Sequence, residues 1–421
     1  MSIKSCFVAL FATLFLASCG GGSSGSASTS TATTSSSTTT STTTTTATVN
    51  NVATITVGAP VSGLTSRYPN IPYVSVTVCV PGTTTCQTID HIIVDTGSVG
   101  LRLLASAVTL SLPAVTTSSN QTLAECIQFT KSYSWGAVRS ASYTVGGETT
   151  TTSTPIHIIG DAAVPTIPQG CTNAGGTASD TVSTFGANGL LGIGQFQQDC
   201  GSGCATIPNE AFYYGCTGSS CTAVALPLAS QIKHPATLFS TDNNGTVVVL
   251  PGVDATGAVS VTGQLIFGIG TQTNNALGSA TIINSDSSGQ FTTTWNGTTV
   301  PGSFIDSGSN GLFFHDSTIT QCSATSGASA FFCPTPSVTR TATLTSNTNT
   351  AETASVALTI NSATTLLAAG SASYNALPGL AGQVSADSGF DFGLPFFYGR
   401  SVYTAIENMS TPGGTGPYVA F

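Results

Sequence analysis

Two short stretches of this 421-residue chain carry the same arrangement of residues able to do acid–base chemistry. Residues 92–101 read Ile-Ile-Val-Asp-Thr-Gly-Ser-Val-Gly-Leu, and residues 303–312 read Ser-Phe-Ile-Asp-Ser-Gly-Ser-Asn-Gly-Leu. Their aspartates are Asp95 and Asp306. If the two loops meet, both carboxyls cannot ionise readily, so the pair shares one proton. One carboxyl then activates a water molecule while the other acts as the acid.

The residues that follow each aspartate are predicted to support it, because a small hydroxyl side chain can hydrogen-bond a carboxylate and the facing loop. One Asp-Thr-Gly alone is weak, since the same residues also end strands in ordinary turns. Two copies that also match at the serine and at the following Gly-Leu favour a functional site over two ordinary turns. The predicted supporting residues are Thr96, Gly97, Ser98, Ser307, Gly308 and Ser309.

This pair of loops resembles the active site of the pepsin-like aspartic proteases. The chain is also similar to an uncharacterised bacterial family of exported lipoproteins with the same two Asp loops. The resemblance covers about residues 70–421. It implies an all-β, bilobal pepsin-like acid protease fold, in which two similar β-barrel-like lobes face each other across a cleft. It also implies hydrolysis of a peptide or protein substrate without a metal or another cofactor.

The strands that must position the loops are also marked in the sequence. Residues 52–58 and 73–80 alternate apolar and polar side chains, as β-strands do. In pepsin-like enzymes a buried strand crosses behind each aspartate loop, and a glycine lets it pass closely. Residues 188–194 and 390–397 match that element.

Two further apolar runs, residues 245–250 and 263–268, resemble the strands that close the first lobe. They place the boundary between the lobes near residue 272. The predicted division is therefore an N-terminal lobe over residues 50–272 and a C-terminal lobe over residues 273–421.

In the pepsin-like family a hairpin called the flap covers the cleft and carries a tyrosine near its tip. Tyr133 is the candidate for that residue, with Phe129 and Trp135 as alternatives. An ordinary surface hairpin with aromatic packing is the competing interpretation. Arg102 is a departure from the family, which usually has a tryptophan there to brace the flap tyrosine.

The N-terminus resembles a lipoprotein export signal. Residues 1–18 contain a short apolar run that ends in Leu-Ala-Ser before Cys19, and that run is too short to span a bilayer. The resemblance implies acylation of Cys19 and a membrane anchor, with the outer membrane favoured by Gly20. A plain secretory signal that contains a cysteine is the alternative. Residues 19–49 are mostly Ser, Thr, Gly and Ala, which predicts a disordered tether.

Apart from Cys6 in the signal and Cys19, ten cysteines remain, an even number that indicates disulfides in an exported chain. The sequence predicts bridges from Cys79 to Cys86 and from Cys322 to Cys333. Four cysteines within residues 200–221 could instead bind zinc. Disulfides are favoured there, because the group has no CxxC pair and no nearby histidine.

The composition excludes some functions. Eight basic residues, one of them in the signal, stand against seventeen acidic ones, so the chain is a poor nucleic-acid binder. Its four histidines are not spaced as metal ligands, and it has no HExxH or P-loop motif. We therefore expect a monomeric, lipid-anchored aspartic endopeptidase. The alternative is a catalytically silent binding module of the same fold that recognises a peptide or glycan.

Overall fold

The computed structural model describes residues 50–64, 68–173, 175–368 and 373–421. The predicted signal peptide (residues 1–18), the lipidation residue Cys19 and the tether (residues 19–49) lie outside the described residues. Strands make up 42% of the structure and helices 8%, with a six-stranded barrel and a half-barrel. The prediction of an all-β protein is confirmed, as expected for a chain rich in Gly, Ser and Thr with short apolar runs.

The strands are short and follow one another closely along the chain. The first thirteen are β1 (Val52–Val57), β2 (Pro72–Cys79), β3 (Cys86–Asp95), β4 (Val99–Leu104), β5 (Thr122–Gln128), β6 (Ser132–Val145), β7 (Glu148–Thr149), β8 (Thr154–Ile159), β9 (Thr177–Ala178), β10 (Gly189–Ile193), β11 (Tyr213–Thr217), β12 (Ser220–Ala223) and β13 (Gly245–Leu250). The others are β14 (Val261–Phe267), β15 (Ile282–Asn284), β16 (Phe291–Trp295), β17 (Thr298–Ile305), β18 (Leu312–Phe314), β19 (Val338–Thr345), β20 (Thr353–Ile360), β21 (Ala381–Gln383), β22 (Asp391–Phe392), β23 (Arg400–Ala405), β24 (Ser410–Thr411), β25 (Gly414–Thr415) and β26 (Tyr418–Ala420).

Helices within the described residues are single turns. The α-helices are α1 (Gln169–Thr172), α2 (Val182–Phe185), α3 (Ser202–Ala205) and α4 (Ala363–Leu366). Turns of 3-10 helix cover Ala105–Ala107, Leu228–Ser230, Pro235–Leu238 and Leu394–Phe397. No helix in the described part of the chain is long and apolar enough to cross a lipid bilayer.

One antiparallel sheet joins the two halves of the chain in the order β1–β14–β13–β23–β26–β15. Three of these strands precede residue 272 and three follow it. The two sets meet where β13 pairs with β23, from Gly245 opposite Ala405 to Leu250 opposite Arg400. The strands predicted at residues 245–250 and 263–268 are confirmed as β13 and β14.

Asp95 ends a strand and Asp306 directly follows one, and a crossing strand lies beside each of these two strands. In the first half, β10 lies parallel to β3, which ends at Asp95, and antiparallel to β4. In the second half, β22 lies parallel to β17 and antiparallel to β18. A Cβ on Gly192 would lie 2.5 Å from the Val99 amide nitrogen, and one on Gly393 would lie 2.0 Å from the Gly311 oxygen. The crossing strands are thus confirmed, and glycine is needed where each passes the loop.

The core behind the second aspartate loop is aromatic. Phe390 and Phe392 stack with ring centres 4.2 Å apart, and Phe314 stacks on Phe390 at 4.7 Å. Because successive side chains of a strand point to opposite faces, these two phenylalanines face the core while Asp391 between them faces away.

Five disulfides are present in the described part of the chain, and they confirm that its cysteines are paired. Two of them are the predicted bridges Cys79–Cys86 and Cys322–Cys333. The cysteines of residues 200–221 form two short-range bridges, so the disulfide prediction for that group is confirmed. The fifth joins Cys126 to Cys171 over 45 residues.

Candidate active site

The two aspartate loops face each other and exchange hydrogen bonds. The Thr96 amide donates to Ser307 Oγ at 3.1 Å, and the Ser307 amide donates to Thr96 Oγ1 at 2.9 Å. Each hydroxyl then donates to a backbone oxygen of the opposite strand, Thr96 to Ile305 at 3.1 Å and Ser307 to Val94 at 2.7 Å. These four buried bonds set the distance and orientation of the two loops, and all four are made by Thr96 and Ser307.

The carboxyl groups of Asp95 and Asp306 are in hydrogen-bond contact. Each also accepts a bond from the glycine two residues later, Gly97 to Asp95 Oδ1 and Gly308 to Asp306 Oδ1, both at 2.8 Å. A Cβ on Gly97 would lie 2.8 Å from the Asp306 carboxyl carbon, and one on Gly308 would lie 2.8 Å from Asp95 Oδ1. Each glycine therefore leaves the room that the opposite carboxyl occupies.

Two serines complete the first layer around the carboxyls. Ser98 Oγ donates to Asp95 Oδ2, and Ser309 Oγ lies 3.0 Å from Asp306 Oδ2. Both aspartates and the six predicted supporting residues are thus brought together. The hydroxyl proton of Ser98 and the amide proton of Gly97 stabilise negative charge on the Asp95 carboxylate.

Burial and charge make the pair hold a proton. Both Asp95 and Asp306 have no exposed surface. Burial, then the charge of Asp306 and the hydrogen bond with it, raise the pKa of Asp95 well above its usual range. A pair with one proton can donate from one carboxyl and accept at the other, which is the requirement for concerted acid–base catalysis.

A third carboxyl, Asp391, lies beside the second loop, and sequence reasoning missed it. Its Oδ2 lies 2.6 Å from Ser309 Oγ. The stretch around it was interpreted only as a crossing strand. The available signal was an acid between two phenylalanines, since a charged residue inside a buried strand calls for a specific partner.

Asn70 connects the first half of the chain to the second aspartate loop. Its amide nitrogen donates to the backbone oxygens of Asn310 (2.8 Å) and Leu377 (2.9 Å). Its amide oxygen accepts from Leu377 N at 2.7 Å and from the Tyr398 hydroxyl at 2.8 Å. The residue is fully buried with φ of 58°, a conformation that asparagine tolerates better than most residues. No sequence pattern pointed to this contact.

Arg102 lies in a buried charged cluster behind the first loop. Its guanidinium lies 2.6 Å from Glu125 Oε1 and 3.2 Å from Asp199 Oδ2, and all three side chains are essentially buried. His157 Nδ1 lies 3.0 Å from Glu125, and the Tyr213 hydroxyl donates to Asp199 at 2.7 Å. Burial alone would raise the pKa of Glu125, but Arg102 and then His157 outweigh it and hold that pKa below its usual range. The cluster ties β4, which carries Arg102, to β5 and β8.

The hairpin of β5 and β6 contains the three flap candidates. Phe129 N bonds to Ser132 O at the turn, and the Phe129 ring packs on Phe185. Tyr133 and Trp135 follow on β6 and line a cavity of about 210 Å³. In the described part of the chain Tyr133 forms no hydrogen bond to either aspartate, so its role in a flap stays a prediction.

No group of three or more His, Cys, Asp or Glu side chains in the described ranges is arranged to hold a metal ion. The family model described as "Protein of unknown function (DUF3443)" matches residues 47–421, so the chain belongs to that family. The matched residues include both aspartate loops. A search of curated proteins finds no match.

Proposed function

We propose that this member of the DUF3443 family is an aspartic endopeptidase, with Asp95 and Asp306 as its catalytic pair. The observation that carries the proposal is the direct contact of two fully buried carboxyls, held by the reciprocal bonds of Thr96 and Ser307. Such a pair can supply one acid and one base within a few ångström of each other, and it needs no other group for peptide hydrolysis.

The chemistry follows from the single shared proton. The ionised carboxyl removes a proton from a water molecule, and the resulting hydroxide attacks the carbonyl carbon of the peptide bond. The protonated carboxyl gives its proton to the carbonyl oxygen. The tetrahedral intermediate then collapses as its C–N bond breaks, and the carboxyl that took the proton from water passes it to the leaving amine. One hydroxyl of the intermediate gives its proton back to the other carboxylate as the new carboxylic acid forms. Both aspartates return to their starting states.

A pepsin-like arrangement of two lobes is part of the proposal. The sheet that takes three strands from each half supports it, as does the repetition of an aspartate loop with a crossing strand. We propose lobes over residues 50–272 and 273–421 with the catalytic pair between them. The substrate is a peptide or protein segment that enters this cleft.

We also propose that the enzyme is exported and anchored in the cell envelope, with the outer membrane favoured, through acylation of Cys19. The sequence before residue 50 supports this location, because a lipobox-like cysteine is followed by a long Ser/Thr-rich tether. A tether of this kind lets a monomeric catalytic body reach substrates near the membrane.

The test is cleavage of a mixture of denatured proteins between about pH 3 and 7 by the full chain, purified in detergent with its disulfides intact. Asp95→Asn and Asp306→Asn should each abolish cleavage, and a transition-state-mimic inhibitor should block the parent. Asp387→Asn removes an exposed carboxyl elsewhere and serves as the matched control, so it should cleave like the parent. Equal cleavage by Asp95→Asn and by the parent would refute the assignment.

The zero exposure of Asp95 and Asp306 favours one alternative, a catalytically silent binding module. A substrate reaches covered carboxyls only if the covering segments move, whereas a peptide or glycan could bind outside a closed pair. A folded parent that is inert throughout this pH range, yet binds peptides or glycans equally well after Asp95→Asn, would support that function.

A further inference from the structure

Asp391 is a buried carboxyl at the catalytic pair that the proposed mechanism does not use. Its Oδ2 lies 2.6 Å from Ser309 Oγ, and the same hydroxyl oxygen lies 3.0 Å from Asp306 Oδ2. Asp391 is only 8% exposed, and its Oδ1 has no hydrogen-bond partner among the described residues. Ser309 is therefore placed between two carboxyls.

Counting protons leaves two arrangements for these bonds. A serine hydroxyl has one proton to donate, so Ser309 cannot donate to Asp306 and Asp391 together. If it donates to Asp306, its short contact with Asp391 needs a proton on Asp391. The reverse arrangement, in which Asp306 donates to Ser309 and Ser309 donates to Asp391, needs that proton on Asp306 instead. In the first arrangement a neutral Asp391 donates to Ser309, and Ser309 donates to Asp306.

The surroundings of Asp391 favour this neutral form. Its strand partners are Phe304 and Phe313, both apolar. The charged groups that act on it in the described residues are Asp306 and Asp95, and both are acids. Burial and then the charge of Asp306 raise the pKa of Asp391 well above its usual range.

The first half of the chain lacks this carboxyl. Asp391 lies opposite Phe304, and Phe304 is two residues before Asp306. In the first half, Ile93 is two residues before Asp95 and lies opposite Leu190, so Leu190 holds the matching position. The chain of donors therefore acts on only one member of an otherwise symmetric pair.

We propose that Asp391 is a positioning residue that, as a neutral acid, donates through Ser309 to Asp306 and thereby moves the shared proton of the pair toward Asp95. Successive hydrogen bonds polarise one another, so the donor behind Ser309 strengthens its bond to the Asp306 carboxylate. Asp306 is then the base that accepts the proton of water, and Asp95 is the acid. This catalytic consequence rests on the proposed peptidase function.

The first test is the pH dependence of kcat/KM. Asp391→Leu introduces the residue of the matching position and removes the donor, so the acid limb should move up by about one pH unit. Asp391→Asn keeps an N–H donor and should return that limb toward the parent position. In a Ser309→Ala background Asp391→Leu should add nothing. An acid limb that is unchanged in Asp391→Leu would overturn the proposal. So would an acid limb that moves to lower pH, because that shift is expected if Asp391 is ionised and the substitution removes its negative charge.

The second test does not need activity. The infrared spectrum of the full chain at pH 7 should contain a carboxylic-acid C=O band that disappears in Asp391→Asn, a substitution of nearly equal volume. A spectrum that is the same in both proteins would overturn the proposal. If the band is lost as expected but the parent cleaves nothing at any pH, the proton assignment is supported and only the peptidase function fails.

Discussion

Ser307→Ala tests whether the reciprocal hydrogen bonds hold the two aspartate loops together. The hydroxyl of Ser307 accepts from the Thr96 amide at 3.1 Å and donates to the Val94 oxygen at 2.7 Å. Both backbone groups lie in buried residues and lose this partner in the variant. A buried polar group that loses its partner costs on the order of 1–3 kcal/mol, so the loss of two such partners should lower the free energy of unfolding by about 2–6 kcal/mol.

Urea unfolding with the disulfides intact measures this loss. The two tryptophans report on different halves, because Trp135 lies on β6 and Trp295 on β16. Thr77→Val is the matched control, since it removes a hydroxyl from the exposed Thr77–Thr88 pair and should change stability by less than ~0.5 kcal/mol.

If Ser307→Ala and Thr77→Val unfold at the same urea concentration, the reasoning about the loops is wrong. Thr96→Val provides an independent check, because it removes the other hydroxyl at nearly constant volume and should cost a similar amount. Both site variants should also lose cleavage activity, since small displacements of catalytic groups slow a reaction strongly.

Three further predictions follow from the buried charges. The raised pKa of Asp95 makes the folded chain bind more protons than the unfolded chain, so the free energy of unfolding should fall as pH rises above about 4. Asp95→Asn should therefore unfold at a higher urea concentration than the parent at pH 7, and this difference should disappear near pH 4. Arg102→Met leaves two buried carboxyls without their cation and should cost about 3–5 kcal/mol in the same assay, whereas Arg139→Gln, at a partly exposed ion pair, should cost less than ~1 kcal/mol. Burial, then the hydrogen bond and charge of Asp242, raise the pKa of Glu148 to about 7. The parent should therefore lose stability between about pH 4.5 and 7, and Glu148→Gln should reduce that loss. An unchanged pH dependence of stability in the variant would contradict the pairing of Glu148 with Asp242.

Much of the architecture was predictable because its signals are local. Alternating side chains marked β1 and β2, and a glycine after apolar residues marked the crossing strands β10 and β22. Cysteines close in sequence, such as Cys79 and Cys86, could be paired because a hairpin brings them together. The bridge from Cys126 to Cys171 could not be predicted, since connectivity over 45 residues depends on how distant strands pack.

The partners of buried polar residues were not predictable for the same reason. Asn70 bonds to Tyr398, which lies 328 residues away, and an isolated asparagine in a loop gives no hint of such a contact. Arg102 was recognised only as a departure from the pepsin-like pattern. Its partner Glu125 lies on β5, which is not paired with β4, and only the packing of the two strands in the folded chain makes the pair evident.

The sequence by itself determined which residues are the candidates for acid–base chemistry, because two loops with the same residue order single out the aspartates and their hydroxyl neighbours without any long-range information. Only the tertiary structure decided that these loops meet, since Thr96 and Ser307 are 211 residues apart and their hydrogen bonds need a precise distance and angle. It also decided that Asp391 joins the pair from one side. A carboxyl's proton affinity depends on burial and on neighbouring charges, and both are properties of the folded chain.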